Sequence, residues 1–166
     1  MSGRSVRVRD AVAADAGLIN TIIRPYVLGS TATFATEPLS DSQRLAWLEN
    51  RATHHPVIVA ERDGCVVGWA SIGPFHARAA YAPTGEPSIY IDPNHRRQGI
   101  GSALMAELLS RAKHSPLHSL ISLIAATEPA SIALHERFGF RQVGRWAEAG
   151  FKLETWIDVI SMQKVL

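Results

Sequence analysis

The chain has 166 residues, 46% of them apolar and 19% charged, a globular composition that excludes disorder as its main description. Seventeen Lys and Arg against fifteen Asp and Glu leave a net charge of +2, too small and too dispersed to mark a nucleic-acid-binding face. A single cysteine, Cys65, excludes an intrachain disulfide and a CxxC metal pair and fits a reducing compartment.

Met1 to Arg7 lacks the apolar core of a secretory signal, and no apolar run approaches the ~18 residues of a membrane span, so the expected location is cytoplasmic, without a membrane partner. The length predicts one domain over residues 1–166, with no linker, repeat or low-complexity segment. Val6 and Val8 alternate with polar neighbours as in a half-buried strand. Ala13-Ala14-Asp15 then opens an amphipathic helix carrying Leu18, Ile19, Ile22 and Ile23, which should end between Pro25 and Gly29. Ser40-Asp41-Ser42-Gln43 has the spacing of a capping box, and Leu45 and Leu48 follow at helical spacing, predicting a second helix that runs to His54.

Val57 to Glu61 and Cys65 to Ser71 are apolar strands joined by Arg62-Asp63-Gly64, a strong hairpin signal. Gly73 to Gly85 has no clean period and reads as a loop of more than ten residues, a length that is often functional. Ser88 to Ile91 is strand-like and stops at Asp92-Pro93; Gly99 to Ala112 then places Ile100, Leu104, Leu108 and Leu109 on one helical stripe. Leu117 to Ala125 predicts a buried strand, Ala130 to Phe138 a short helix, and Val143 and Trp156 to Met162 late strands. The order is mixed α and β around one sheet.

Arg96-Arg97-Gln98-Gly99-Ile100-Gly101-Ser102 lies between a strand and a helix, where backbone N–H groups at a positive helix end bind phosphate. Glycine at 99 and 101 permits close backbone approach, and the two arginines add charge. An ordinary glycine-containing helix start is the plainer reading of the same letters. A dinucleotide fingerprint fails because Leu104 takes the third glycine position and no acid stands about 20 residues on. A Walker A loop fails because the chain has no Gly-Lys pair.

Arg96-x-x-Gly99-x-Gly101 after Tyr90-Ile91-Asp92-Pro93 resembles the pyrophosphate loop of the GNAT acetyltransferase superfamily. Ser131-x-x-x-His135-Glu136-Arg137-Phe138-Gly139-Phe140 is similar to that superfamily's later helix and Gly-Phe turn. More narrowly, three segments resemble the phosphinothricin and related amino-acid N-acetyltransferases: Thr31-x-x-Phe34-x-Thr36-Glu37-Pro38, Gly73-Pro74-Phe75-His76-Ala77-Arg78-x-x-Tyr81, and Ala149-Gly150-Phe151-Lys152 with Trp156-x-Asp158-Val159. The likeness spans nearly the whole chain. It implies a largely antiparallel twisted sheet flanked by helices, acetyl-CoA as cosubstrate, a homodimer, and acetylation of the α-amine of a small amino acid or analogue; no metal is expected, since the residues offer no ligand pair. A protein or polyamine acceptor and a non-catalytic acyl-CoA-binding domain are the alternatives.

The resemblance implies roles for individual residues. Glu86 is the general base, directly or through a water, and His135 acts as acid or as substrate contact. Ile89, Tyr90 and Ile91 offer main-chain groups to the pantetheine arm, Arg96, Arg97, Gln98, Gly99, Ile100, Gly101 and Ser102 hold the diphosphate, and Ser131 shares a helix face with His135. Thr31 and Phe34 form one acceptor wall; His76, Arg78 and Tyr81 form the other. Two departures stand out: Glu128 replaces the usual asparagine, so it is left out of the site, and His76 replaces a lysine, removing a permanent charge. Trp156 and Phe151 are assigned to strand packing or a subunit contact. His114 and His118 are separated by Pro116 and form no metal pair, His54-His55 suits a helix C-terminus, and Cys65 is not a nucleophile.

Overall fold

The computed structural model describes residues 6–166; the part of the signal-peptide reading that concerns residues 1–5 lies outside the described residues. Seven strands form one sheet in the order β1-β2-β3-β4-β5-β7-β6. They are β1 (Arg7–Asp10), β2 (Val57–Arg62), β3 (Cys65–Pro74), β4 (Thr84–Ile91), β5 (Ser119–Ala125), β6 (Arg141–Lys152) and β7 (Thr155–Val165). Helices α1 (Ala16–Gly29) and α2 (Asp41–Glu49) cover one face, and α3 (Ile100–Lys113) and α4 (Pro129–Arg137) lie with the other. The largely antiparallel sheet agrees with the sequence reading. No described helix is long and apolar enough to cross a membrane.

The sheet is buried on both faces at its centre, which explains the unbroken apolar run of β2. Val57 and Val59 pack with Ile19, Ile22, Val27 and Trp69 under α1, whereas Ile58 and Ala60 pack with Leu104, Leu108 and Leu120 under α3. Local chemistry sets the ends. The Ser40 hydroxyl accepts from the Gln43 amide at 3.2 Å while the Gln43 side chain accepts from the Ser40 amide at 2.8 Å. Arg62 pairs with Cys65 across Asp63 and Gly64, whose φ values of 51° and 78° make the tight hairpin turn.

α1 ends at Gly29, within the expected range, but Leu18 faces solvent while Tyr26 and Val27 complete the buried stripe. Three other boundaries differ from expectation. α2 stops at Glu49, because the Asn50 side chain donates to the Ala46 carbonyl at 2.8 Å and Arg51 folds over to the His55 carbonyl at 3.0 Å. His54 and His55 therefore lie in a turn beyond the helix. β3 runs on to Pro74 and β4 begins at Thr84, so the long loop shrinks to residues 75–83 and Glu86 sits on a strand.

β4 and β5, the one parallel pair among the described residues, meet only at Thr84–Ser119 and Gly85–Leu120 and diverge beyond Gly85. Gly85 is required at the meeting point: a Cβ there would lie 2.5 Å from the Ile72 side chain and 3.1 Å from that of Leu120. The resulting gap is where the sheet is open.

Candidate active site

The gap exposes one edge of β4, and the register decides which peptide groups face it. Ile72 donates its N–H to Pro56 on the β2 side, so its partner Pro87 turns its backbone away from β3 and toward β5. Pro87, Ile89 and Ile91 thus face the gap, and proline costs no ladder bond there. Tyr90, one residue out of phase, spends its peptide groups on β3; this corrects its assignment as a main-chain contact for the cofactor arm. The Ile91 carbonyl is taken by the Tyr26 hydroxyl at 2.5 Å. What remains on the open edge is the Pro87 and Ile89 carbonyls and the Ile89 and Ile91 N–H groups, an edge that fits an extended amide-bearing arm.

At the end of β4 the chain enters α3 through a cradle. Arg97 and Gly99 have φ of 57° and 80°, left-handed conformations that turn the loop amides inward at the positive end of a fourteen-residue helix. Arg96 is exposed but anchored: its Nε donates to the Tyr26 hydroxyl at 3.2 Å and its guanidinium lies 4.9 Å from the centre of that ring. Arg62, which the sequence reading did not single out, bonds the Gln98 side chain and so braces the loop from the β2–β3 hairpin. Gln98 is thereby committed to structure. Ile100 points into the core, and a Cβ on Gly101 would lie 3.2 Å from Ile91 and 3.4 Å from Leu134, so these two contribute backbone alone. Ser102 makes no side-chain bond among the described residues. The cradle suits a diphosphate, and the β4 edge suits the chain leading from it.

Glu86 lies opposite Gly73 on β4 and shares a face with Ser88 and Tyr90. Its carboxylate has no hydrogen bond or ion pair among the described residues, and burial pushes its pKa above the ordinary glutamate value. A carboxylate in that condition is primed to take a proton. Tyr90 stands on the same face, packed at 5.0 Å on Trp69 and 5.4 Å on Tyr26, and burial, with Glu86 nearby, raises its phenol pKa.

His135 is 5% exposed, its Nδ1 2.8 Å from the Ser131 carbonyl and its ring edge-on to Phe140. A carbonyl only accepts, so Nδ1 carries the proton and Nε2, enclosed and without a partner, carries a lone pair. Burial also lowers its pKa, keeping the ring neutral. This geometry gives the ring no proton to hand to a departing thiolate. Ser131 meets His135 through its backbone.

The two acceptor walls are separate. Thr31 bonds the Thr127 hydroxyl at 2.7 Å and the Glu128 carboxylate at 3.2 Å, tying the α1–α2 loop to the β5–α4 loop. Glu128, left out of the site on sequence grounds, is thus part of its frame. Phe34 fills the space that a Cβ on Gly150 would occupy, at 2.2 Å. Across the site, His76 Nδ1 accepts from the Arg78 amide at 3.1 Å, its ring stacks 5.1 Å from Tyr81, and Arg78 itself is exposed. Among the described residues no hydrogen bond or ring contact joins Thr31 or Phe34 to His76, Arg78 or Tyr81.

Lys152 carries no role in the sequence beyond its place in the Ala149–Lys152 motif, yet it is a buried strut. Its ammonium donates to the Tyr26 carbonyl at 3.1 Å and the Thr33 carbonyl at 2.7 Å, fastening the end of α1 and the Phe34 wall to β6. Burial lowers its pKa. Lys152→Met should therefore cost about 1–3 kcal/mol of stability, read as a lower urea midpoint, because two carbonyls lose a charged donor.

The chain is similar to known proteins along most of its length. Residues 22–140 match the family model described as Acetyltransferase (GNAT) family. A phosphinothricin N-acetyltransferase of Streptomyces viridochromogenes is 36% identical over 94% of this chain and 85% of its own. An L-methionine sulfoximine/L-methionine sulfone acetyltransferase of Salmonella typhimurium is 32% identical over 94% of this chain and 92% of its own. Among solved structures, a phosphinothricin acetyltransferase from Sinorhizobium meliloti in complex with acetyl-CoA superposes with a TM-score of 0.93, at 37% identity over 97% of this chain and 88% of that one. A ribosomal-protein-alanine N-acetyltransferase from Brucella melitensis also superposes with a TM-score of 0.93, at 39% identity over 96% of this chain and 99% of that one.

Proposed function

Because the chain belongs to the acetyltransferase (GNAT) family and is an acetyl-CoA-dependent N-acetyltransferase, we propose that its acceptor is the α-amine of a small amino acid or analogue of the phosphinothricin, methionine sulfoximine or methionine sulfone type. The observation that carries this reading is Glu86: a partly buried carboxylate on β4 without a partner among the described residues, on the face it shares with Ser88 and Tyr90.

The cosubstrate supplies an acetyl group activated as a thioester. The Ile89 and Ile91 peptide groups hold its arm along β4, and the Arg96–Ser102 loop with the α3 N-terminus neutralises its diphosphate. Glu86 takes a proton from the acceptor ammonium, directly or through one water, leaving the nitrogen lone pair free to attack the carbonyl carbon. The C–N bond forms and the C–S bond breaks; the nitrogen sheds its second proton to solvent, the departing thiolate takes one from solvent in exchange, and Glu86 then releases its own proton to solvent, the net product proton. His135 acts by holding the first turns of α4 rather than as acid. Transfer is direct: no cysteine stands near Glu86 in the fold, since Cys65 is exposed at the β2–β3 turn.

The β6–β7 hairpin presents Trp146, Phe151 and Trp156, the last two 57% and 60% exposed with rings 4.9 Å apart. An apolar patch of that kind supports a homodimer through this hairpin. The lone free cysteine supports a cytoplasmic location, and the continuous sheet supports one domain over residues 1–166.

The test is acetyl-CoA with phosphinothricin, methionine sulfoximine, methionine sulfone and the common amino acids, following thiol release. Turnover of at least one is expected; none, with the fold intact, removes this acceptor class. The Brucella relative's name favours a second reading, a protein N-terminus, and an alanine-initiated peptide with a higher kcat/KM than every amino acid would establish it.

A further inference from the structure

On the acceptor face of β3 and β4, three rows of paired residues follow one another: Trp69 with Tyr90, Ser71 with Ser88, and Gly73 with Glu86. The first row is large and aromatic. The next two, apart from Glu86 itself, carry small side chains or none, so little side-chain bulk stands on the serine row. α2 and the turn that follows it supply what stands above these rows. The Arg44 guanidinium lies 4.7 Å from the Trp47 ring centre and 5.7 Å from that of Trp69, over the first row. Arg51 stacks on Trp47 at 4.5 Å, and its Nη2 comes within 3.8 Å of where a Cβ on Gly73 would be, beside the third row.

Neither arginine has an acidic partner among the described residues. Arg44 is only 6% exposed, and its single hydrogen bond runs from Nε to the Asn20 side chain at 3.0 Å. Among the described residues its two terminal nitrogens make no bond, and neither is sealed from solvent. Arg51 uses Nε and Nη2 on the His55 and Ile72 carbonyls and leaves Nη1 open. Burial lowers the pKa of both, that of Arg51 to about 10, with Arg44 itself adding repulsion. Two adjacent, poorly hydrated cations without a counter-ion are costly unless an anion completes them. The open nitrogens of Arg44 do not serve the shallow depression between α1 and the start of α2, whose walls are Asn20, Arg24, Leu39, Asp41 and their neighbours.

We propose that Arg44 and Arg51 form the anion site for the acceptor's carboxylate, held over Ser71 and Ser88 so that the amine of the same molecule reaches Glu86. This rests on the amino-acid reading above and adds what enforces it. The serine row lies one row, about 7 Å along the strand at ~3.3 Å per residue, from Glu86, so the acceptor carries its carboxylate close to its amine. Planar guanidinium donors match a carboxylate in two-pronged contact. Polyamines and neutral amines lack the group, and the exposed Arg78 is left to the acceptor's outer end.

The experiment compares an accepted amino acid with its carboxamide at saturating acetyl-CoA. The protein as it stands should prefer the carboxylate at least tenfold in kcat/KM. Arg44→Gln should raise the amino-acid KM ten- to a hundredfold, leave the acetyl-CoA KM in place and bring the preference close to one. A merely structural arginine would weaken both substrates alike, and that result overturns the proposal. So does equal use of acid and amide by the parent, which leaves the amino-acid reading standing. Should Arg44→Gln not fold, binding decides without turnover: Trp47 and Trp69 flank the site, and their fluorescence should respond to the amino acid in the presence of CoA but not to the carboxamide. If peptides alone are acetylated, the amino-acid reading falls, while a carboxylate-dependent fluorescence change would still place the anion at the arginines; its absence removes the site.

Discussion

Replacing Glu86 with glutamine is expected to lower kcat by ~10²–10⁴ while leaving the fold at least as stable as the parent at neutral pH. The rate loss follows from geometry: the carboxylate stands unpaired on β4, and the isosteric amide keeps the shape but accepts no proton. The pH dependence follows from burial. Since burial raises the Glu86 pKa, the parent's kcat/KM should rise with pH along a limb displaced above the ordinary glutamate range, and the variant should lack that limb. Stability carries the opposite sign. Between the unfolded and the raised folded pKa the native state holds a proton that the unfolded chain has released, so stability falls as pH rises through that window. Glutamine has no charge to bury and should be flat there. Rate measurements and thermal melts across that pH window check both parts. A variant with an unchanged pH–rate limb would assign proton removal to another group.

That Glu86 lies on a strand was not legible in the sequence, and the reason is Pro87. A proline after Gly85 and before Ser88 reads as loop chemistry, because it removes a ladder donor. The fold tolerates it because β4 has no neighbour on that side beyond Gly85, which is also why the site is there. Features with local chemistry were legible: the Ser40–Gln43 box, the Asp63-Gly64 turn and the glycine helix start at Gly99 all stand where the letters place them. The β6–β7 turn was not, since Leu153 and Glu154 adopt φ of 52° and 58° without glycine, held by long strand pairing on either side.

Residues that act through distant partners escaped in the same way. Arg44 reads as one polar residue on an amphipathic helix, and Lys152 as a strand residue beside a turn. Only the docking of α2 on Trp69, and of β6 on the end of α1, buries their charges. Tyr26 carries no motif, yet it joins Arg96 to the Ile91 carbonyl across 65 and 70 residues of sequence. Periodicity marks which face is buried; it does not say which buried polar groups meet.

Gly99→Ala and Gly101→Ala, two residues apart, should fail in different ways. At Gly99 an added Cβ meets nothing within 4 Å, so the protein itself has room for it. The φ of 80° costs an alanine about 1–2 kcal/mol, and relaxing that strain turns the loop amides out of the cradle. Each charge-assisted hydrogen bond from an amide to a diphosphate is worth roughly 1.5–3 kcal/mol, so the acetyl-CoA KM should rise about ten- to a hundredfold with a modest fall in Tm. At Gly101 the backbone is helical and the space is full: the Cβ would press Ile91 at 3.2 Å and Leu134 at 3.4 Å. Alanine there gains helix propensity of about 1 kcal/mol but must push β4 and α4 apart by a few tenths of an ångström. Its acetyl-CoA KM should move by less than that of Gly99→Ala. Steady-state kinetics with acetyl-CoA varied, beside thermal melts of both variants, would separate the two. Equal KM effects would mean that the amides of the α3 start do not carry the diphosphate, and that the arginines alone attract it.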